Sequence, residues 1–268
     1  MSTPNVYTLE TGTRPLLISM PHCGTALPDA VRAQLVERAW ATEDTDWHMP
    51  QLYAFAKAIG ASIIVPHYAR YVIDLNRPPD DAPMYPGASN TELCPTRFFT
   101  GEPLYKEGGE PNANERQHRL VTYWRPYHDA LRGELDRLRN QHGRALLWDA
   151  HSIRSEIPWL FEGRLPDLNV GTASGQAADV TIANAVMQVC ATFPQFSHVL
   201  NGRFKGGYIT RHYGQPSQGI HAVQLEMCQS LYMREAAPYD YWPERAAHVI
   251  PVLQQMVQAA LVALESLP

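Results

Sequence analysis

Cysteine is scarce and scattered. Cys23, Cys94, Cys190 and Cys228 form no CxxC pair, which argues against a disulfide framework or a thiolate zinc site and fits a reducing compartment. Most of the four are expected to act as buried small hydrophobes. No run of about 18 apolar residues occurs, so no membrane span is expected, and the apolar tail from Glu244 to Leu264 is broken by glutamines. The opening MSTPNVYTLETGTRPLLISMP lacks a basic segment followed by an apolar one, so the chain reads as cytoplasmic and soluble. Lysine and arginine never gather into a block, and 22 basic against 27 acidic residues leave a formal charge of −5. That balance offers no surface to track phosphates and argues against nucleic acid as a partner. GxSxG, GxGxxG, Walker A and HExxH are all missing, so serine hydrolase, dinucleotide, P-loop and thermolysin-type readings have no local support.

What remains is an ordinary globular balance. Hydrophobic residues make up 45% and charged residues 18% of 268 positions, enough to bury a sizeable core in one domain over residues 1–268. Assembly into a homo-oligomer stays open. Four apolar runs read as buried strands: Leu16 to Met20, Ser62 to Pro66, Ala145 to Ala150 and Ile220 to Glu226. The clearest helix spans Glu115 to His142, where Leu120, Trp124, Tyr127, Leu131, Leu135 and Leu138 recur at helical spacing before Gly143, with a kink or break expected at Pro126. Asp46 to Ile59, Ala178 to Thr192 and Glu244 to Leu264 complete the helices. Alternating strands and helices predict an α/β sandwich around a mixed, mostly parallel sheet. The Pro/Gly-rich stretch at 77–111 is expected to be a long ordered loop, a site wall or lid, because Met84, Tyr85, Phe98, Phe99 and Tyr105 give it apolar content.

Polar residues of ligand type sit where the strands end, which is where open α/β sheets place their sites. LLISMPHCG ends in His22, ALLWDAHS carries Asp149 and His151 on one strand face, and AVQLEMC carries Glu226. A carboxylate at the end of an apolar strand needs a partner or a chemical role. Two histidines and a carboxylate make a catalytic zinc set, with Glu226 available as general base. Glu43, Asp44 and Asp46 are the candidates for the carboxylate, against an alternative role as helix N-caps. Arg70, Asn76 and Arg77 in ARYVIDLNR, and Arg203, Lys205, Tyr208, Arg211 and His212 in NGRFKGGYITRHYG, suit an anion or an oxyanion, with surface ion pairing or a solvated turn as the alternative. A rival arrangement pairs Cys23 as nucleophile with His151 and Asp149, but it leaves Glu226 and the acidic run unexplained.

Six motifs in order, PHCG, DTDWH, ARYVIDLNRPPD, WDAHSIRSE, NGRFKGGYITRHYG and QLEMCQSLYM, resemble the N-formylglutamate deformylase (N-formylglutamate amidohydrolase) family between Pro15 and Met233. The resemblance implies a three-layer fold of the phosphorylase/hydrolase type, similar to zinc carboxypeptidases and aspartoacylase, with one catalytic Zn2+, although another divalent metal would suit the same ligands. It implies hydrolysis of N-formyl-L-glutamate to L-glutamate and formate, the last step of one histidine degradation route. By the same resemblance His22 and His151 are metal ligands and Glu226 the catalytic glutamate. Arg70 resembles the arginine that stabilises the oxyanion, and Asn76 with Arg77 the pair that grips a carboxylate. Those relatives take their carboxylate ligand from H-x-x-E, but the residue three after His22 is Thr25. Asp46 is therefore chosen as the ligand, with Asp44 as runner-up. Arg203 and Arg211 are the candidates for the second substrate carboxylate. The nearest alternative is a zinc-dependent deacylase of another N-acyl amino acid or a small peptide. A more distant one is a non-catalytic binder on the same scaffold.

Overall fold

The computed structural model describes residues 5–84 and 91–268, so Tyr85, named above in the long loop, lies outside the described residues. Seven strands form one sheet: β1 Tyr7–Glu10, β2 Leu16–Ser19, β3 Ser62–Pro66, β4 Ala145–Ile153, β5 Leu168–Gly171, β6 His198–Leu200 and β7 Ile220–Cys228. Their spatial order is β1-β3-β2-β4-β7-β5-β6. The inner run β3-β2-β4-β7 is parallel, β1 and β5 join antiparallel, and β6 is parallel to β5. The four apolar runs are thus the central strands, and β4 and β7 each extend past the expected ends, to Ile153 and Cys228. Both are buried along all nine residues, as strands covered on two faces must be.

The helices are α1 Asp29–Gln34, α2 Met49–Leu52, α3 Phe55–Ala58, α4 Ala113–Arg119, α5 Arg125–His142, α6 Val180–Ala191, α7 Tyr208–Tyr213 and α8 Pro243–Glu265. On one face of the sheet Leu16, Ile18, Trp148, Val223 and Leu225 pack with α2, α3, α6 and α8. On the other, Leu17, Ala145, Leu147, Ile220 and Ala222 pack with α5 and α7. These layers make the three-layer mixed sheet. By length and hydropathy α8 would pass for a membrane span, yet its Val249, Leu253, Met256, Val257 and Leu264 belong to this core.

Three details differ from expectation. The helix expected over Asp46 to Ile59 is two single turns, α2 and α3, and Asp46 precedes them outside any helix. Pro126 sits in the first turn of α5, so the expected division into two helices is present but falls just before it. The proline cannot donate an N–H, and a wide π turn over Leu120–Trp124 just before it joins α4 to α5. Third, three further strands, β1, β5 and β6, of four, four and three residues, join the expected four. In the 77–111 loop Phe98, Phe99 and Tyr105 are buried.

Candidate active site

Side chains repeat every two residues along a strand, so one face of β4 reads Ala145, Leu147, Asp149, His151, and the same face of β7 reads Ile220, Ala222, Gln224, Glu226. The apolar halves lie beneath α5 and α7. Beyond that cover the rows turn polar, and register sets Gln224 beside Asp149 and Glu226 beside His151. This is the carboxyl end of the parallel strands, where a cleft opens between His22, Asp46, Arg70, Asn76, Arg77, Phe99, His151, Arg203, Gln224 and Glu226 among its walls.

His22 follows the end of β2, and its carbonyl accepts a hydrogen bond from the Asp46 N–H (3.0 Å). That bond ties two distant stretches of chain together at the site. Next to His22, Gly24 runs against the 67–68 backbone, where a Cβ would fall 2.3 Å from the Tyr68 carbonyl oxygen, so only glycine lets the His22 loop lie this close. His22 Nδ1 and His151 Nδ1 are 3.2 Å apart. Asp46 Oδ2 lies 3.3 Å from His151 Nδ1 and 3.8 Å from His22 Nδ1. All three residues are buried.

This triangle can hold a metal ion. Bonds of about 2.0–2.1 Å in tetrahedral array put ligand atoms roughly 3.3–3.4 Å apart, close to the separations seen. The outward nitrogens meet carboxylates: His22 Nε2 lies 2.7 Å from Asp74 Oδ1 and His151 Nε2 3.1 Å from Asp149 Oδ1. Such carboxylates fix the tautomer that leaves Nδ1 free to bind a cation. Asp74 also pairs with Arg70 (2.6 Å) and accepts the Asn76 N–H (2.8 Å), while Asp149 Oδ2 accepts from the Thr210 hydroxyl (3.0 Å). Burial resists charging Asp74, but His22 and Arg70 outweigh it and hold its carboxyl well below the usual range. Burial, aided by Arg70, lowers the His22 imidazole. Burial also opposes charge on His151, and there Asp149 and Asp46 prevail and raise it.

Asp44 points elsewhere. Its Oδ2 accepts from the Tyr71 hydroxyl (2.8 Å) and the Phe99 N–H (3.0 Å), and its Oδ1 pairs with Arg154 (2.8 Å). These bonds pin Phe99, a residue of the long loop, against the cleft, and the Arg70 guanidinium stacks 4.6 Å over its ring. Glu43 pairs with Arg38 (2.6 Å). Neither serves as a helix cap, and nor does Asp46: the residue capping α2 is His48.

Glu226 is buried, yet its carboxyl has no hydrogen-bond partner among the described residues. Burial, with Asp46 and Asp149 nearby, pushes it up to about 8 against the pull of His151 and Arg70. A carboxyl poised there can both take and return a proton near neutral pH. Arg77 reaches the cleft while donating to Thr91 through Nε and Nη2 (3.1 and 2.6 Å to Oγ1), and Asn76 Oδ1 accepts the Ile209 N–H (2.8 Å). Arg203 lies at the wall and donates to the Leu160 carbonyl (3.2 Å). Arg211 lies outside the lining and donates to the Gly206 carbonyl (2.8 Å). Lys205, Tyr208 and His212 also lie outside it. Cys23 is absent from the lining as well; its thiol donates to the Met20 carbonyl (3.1 Å), and burial drives it further from the thiolate. A nucleophile needs the opposite shift.

Sequence reasoning passed over Asp74, Thr210 and Gln224. A signal existed for Asp74, since a ligating imidazole needs an acceptor on its second nitrogen and VIDLNR offers one beside residues already singled out.

Residues 14–233 match the model of the N-formylglutamate amidohydrolase family. The chain is 57% identical over 256 residues to the N-formylglutamate deformylase of Pseudomonas putida, covering 96% of each, and 54% identical at the same coverage to that of Pseudomonas aeruginosa. Its fold is similar to the crystal structure of N-formylglutamate amidohydrolase from Ralstonia eutropha, with TM-score 0.80, 22% identity and 97% coverage of both chains. An Agrobacterium tumefaciens structure is similar too, at TM-score 0.72 and 18% identity over 98% of each chain.

Proposed function

Because the chain belongs to the N-formylglutamate amidohydrolase family, we propose that it hydrolyses N-formyl-L-glutamate to L-glutamate and formate, as one amidohydrolase unit over its whole length. The observation that carries this reading is Glu226, a bare buried carboxyl facing a His–Asp–His triangle. His22, Asp46 and His151 would hold one divalent cation, zinc by preference for imidazole and carboxylate. When bound, such a cation acts as a Lewis acid that acidifies water and polarises a carbonyl.

The chain's own residues do the rest. Glu226 accepts the proton of the water that attacks the formyl carbon and delivers it to the amide nitrogen as the C–N bond breaks, so formate keeps the water oxygen and glutamate leaves as the amine. Arg70, held by Asp74, faces the cleft as a fixed donor for the negative oxygen that develops. Asp74 and Asp149 hold the two imidazoles in one tautomer. Asn76 and Arg77 bind the α-carboxylate, and Arg203 serves the side-chain carboxylate in preference to Arg211, which lies outside the lining. Phe99, Leu160 and Phe204 line the apolar side of the cleft and limit water. The setting proposed is the last step of a histidine degradation route in the cytoplasm.

The test is formate release from N-formyl-L-glutamate before and after chelation, with zinc restored. Turnover that chelation abolishes and zinc restores supports the reading. A folded, metal-loaded protein that leaves this substrate intact but cleaves N-acetyl or N-succinyl amino acids refutes it. Cys23→Ala is expected to keep kcat/KM within about twofold, because its thiol lies outside the cleft; chelator-resistant activity lost in this variant would restore the thiol mechanism. Arg77→Ala is expected to raise KM at least about tenfold, as loss of a charge-assisted contact to a carboxylate should, and a kcat/KM within twofold of the parent would remove Arg77 from the binding role.

A further inference from the structure

The cleft contains a polar group that the mechanism leaves unused. Gln224 is 3% exposed, on the same face of β7 as Glu226 and two residues deeper in the sheet. Its Oε1 accepts the Gly207 N–H (2.7 Å), which fixes the orientation of the amide, since only the oxygen end can accept. Gln224 lines the cleft, and its Nε2 has no partner among the described residues. An amide donor left without a protein acceptor at a cleft is costly unless something arrives to accept from it.

We infer that Gln224 is a specificity-determining residue whose Nε2 donates a hydrogen bond to the side-chain carboxylate of the substrate, an inference that rests on the function proposed above. Two residues of strand advance about 6.6 Å, and five bonds separate the formyl carbon from the side-chain carboxyl carbon, roughly 6 Å when extended. With the formyl group at Glu226, the far carboxylate therefore reaches the depth of Gln224. The α-carboxylate, three bonds from the formyl carbon, stays nearer the mouth with Asn76 and Arg77. Gly207 completes the wall: a Cβ there would lie 2.3 Å from Asn76 Nδ2, so glycine lets the Asn76 amide lie against the same backbone whose N–H holds Gln224. Because a neutral donor recognises a carboxylate or a carboxamide oxygen alike, Gln224 selects for side-chain length, and charge selection falls to Arg203.

The variant that isolates this role is Gln224→Glu, which keeps an oxygen for the Gly207 N–H and replaces the donor with an acceptor. On the zinc-loaded enzyme, the ratio of kcat/KM for N-formyl-L-glutamine over N-formyl-L-glutamate is expected to rise about a hundredfold, since the amide substrate can donate to the new carboxylate and the acid is repelled. Gln224→Leu is expected to raise KM for N-formyl-L-glutamate at least tenfold while moving KM for N-formyl-L-norvaline, which lacks the carboxylate, by less than threefold. If both variants slow every substrate by the same factor, Gln224 only props Gly207 and the assignment is overturned. Absence of wild-type turnover on N-formyl-L-glutamate is a separate result, which overturns the proposed function and this inference with it.

Discussion

Glu226→Gln is expected to lower kcat for N-formyl-L-glutamate by about a thousandfold, near the middle of the range for loss of a positioned acid–base group, with KM and metal content nearly unchanged. The amide fills the same volume but cannot accept a proton at neutral pH. Single-turnover formate release by the metal-loaded variant checks this, and a variant within tenfold of the parent would mean that another group moves the proton. Metal content separates the two trivial explanations, since a misfolded or metal-free variant would also be inactive.

The same substitution has a signature in stability that needs no substrate. In the metal-free protein burial lifts the Glu226 carboxyl from the usual 4.5 to about 8. Between those values the folded chain holds a proton that the unfolded chain has released, so stability falls as pH rises through the window. A neutral amide in place of this carboxyl carries no such penalty. The melting temperature of the metal-free Glu226→Gln variant should therefore gain on the wild type from pH 5 to pH 9. A constant difference across that range would mean that Glu226 is already ionised in the fold.

How much of this was legible in the sequence follows from the range of each interaction. The central strands β2, β3, β4 and β7 are continuous apolar runs, and burial on both faces writes itself into local composition. The rows ending in His151 and Glu226 were visible for the same reason, since period two needs only the neighbouring residues. The short strands β5 and β6 were not, because LNVG and HVL are recognisable only through partners elsewhere in the chain. Asp46 was misplaced at a helix start because Met49, Leu52, Phe55 and Ala58 keep a helical rhythm, while the chain spends them on two separate turns against the core. Gln224 was overlooked because an amide in an apolar strand looks like an ordinary polar intruder until its side-chain partner, the Gly207 N–H, is known.

The choice between Asp46 and Asp44 gives the second large effect. Both carboxylates are buried and two residues apart, so sequence position cannot distinguish them, but their partners do. Asp46 Oδ2 faces the two imidazole nitrogens and, among the described residues, otherwise accepts only the Ser152 N–H (3.2 Å). Asp44 spends both oxygens on Arg154, Tyr71 and the Phe99 N–H. Asp46→Asn should therefore cut bound zinc below about a tenth of one equivalent in dilute metal and abolish turnover, because zinc draws its oxygen ligands from anionic carboxylates and a neutral amide is a much weaker donor to it. Asp44→Asn should keep close to one equivalent and instead lose stability, about 2 kcal/mol for weakened charge-assisted hydrogen bonds to Tyr71, the Phe99 N–H and the partly buried Arg154, which for a chain of this size lowers the melting temperature by roughly 4–8 °C. Metal analysis and thermal unfolding of the two variants side by side check both halves. Normal zinc in Asp46→Asn together with metal loss in Asp44→Asn would reverse the assignment, and would require the Arg154 and Tyr71 contacts to give way when the cation binds.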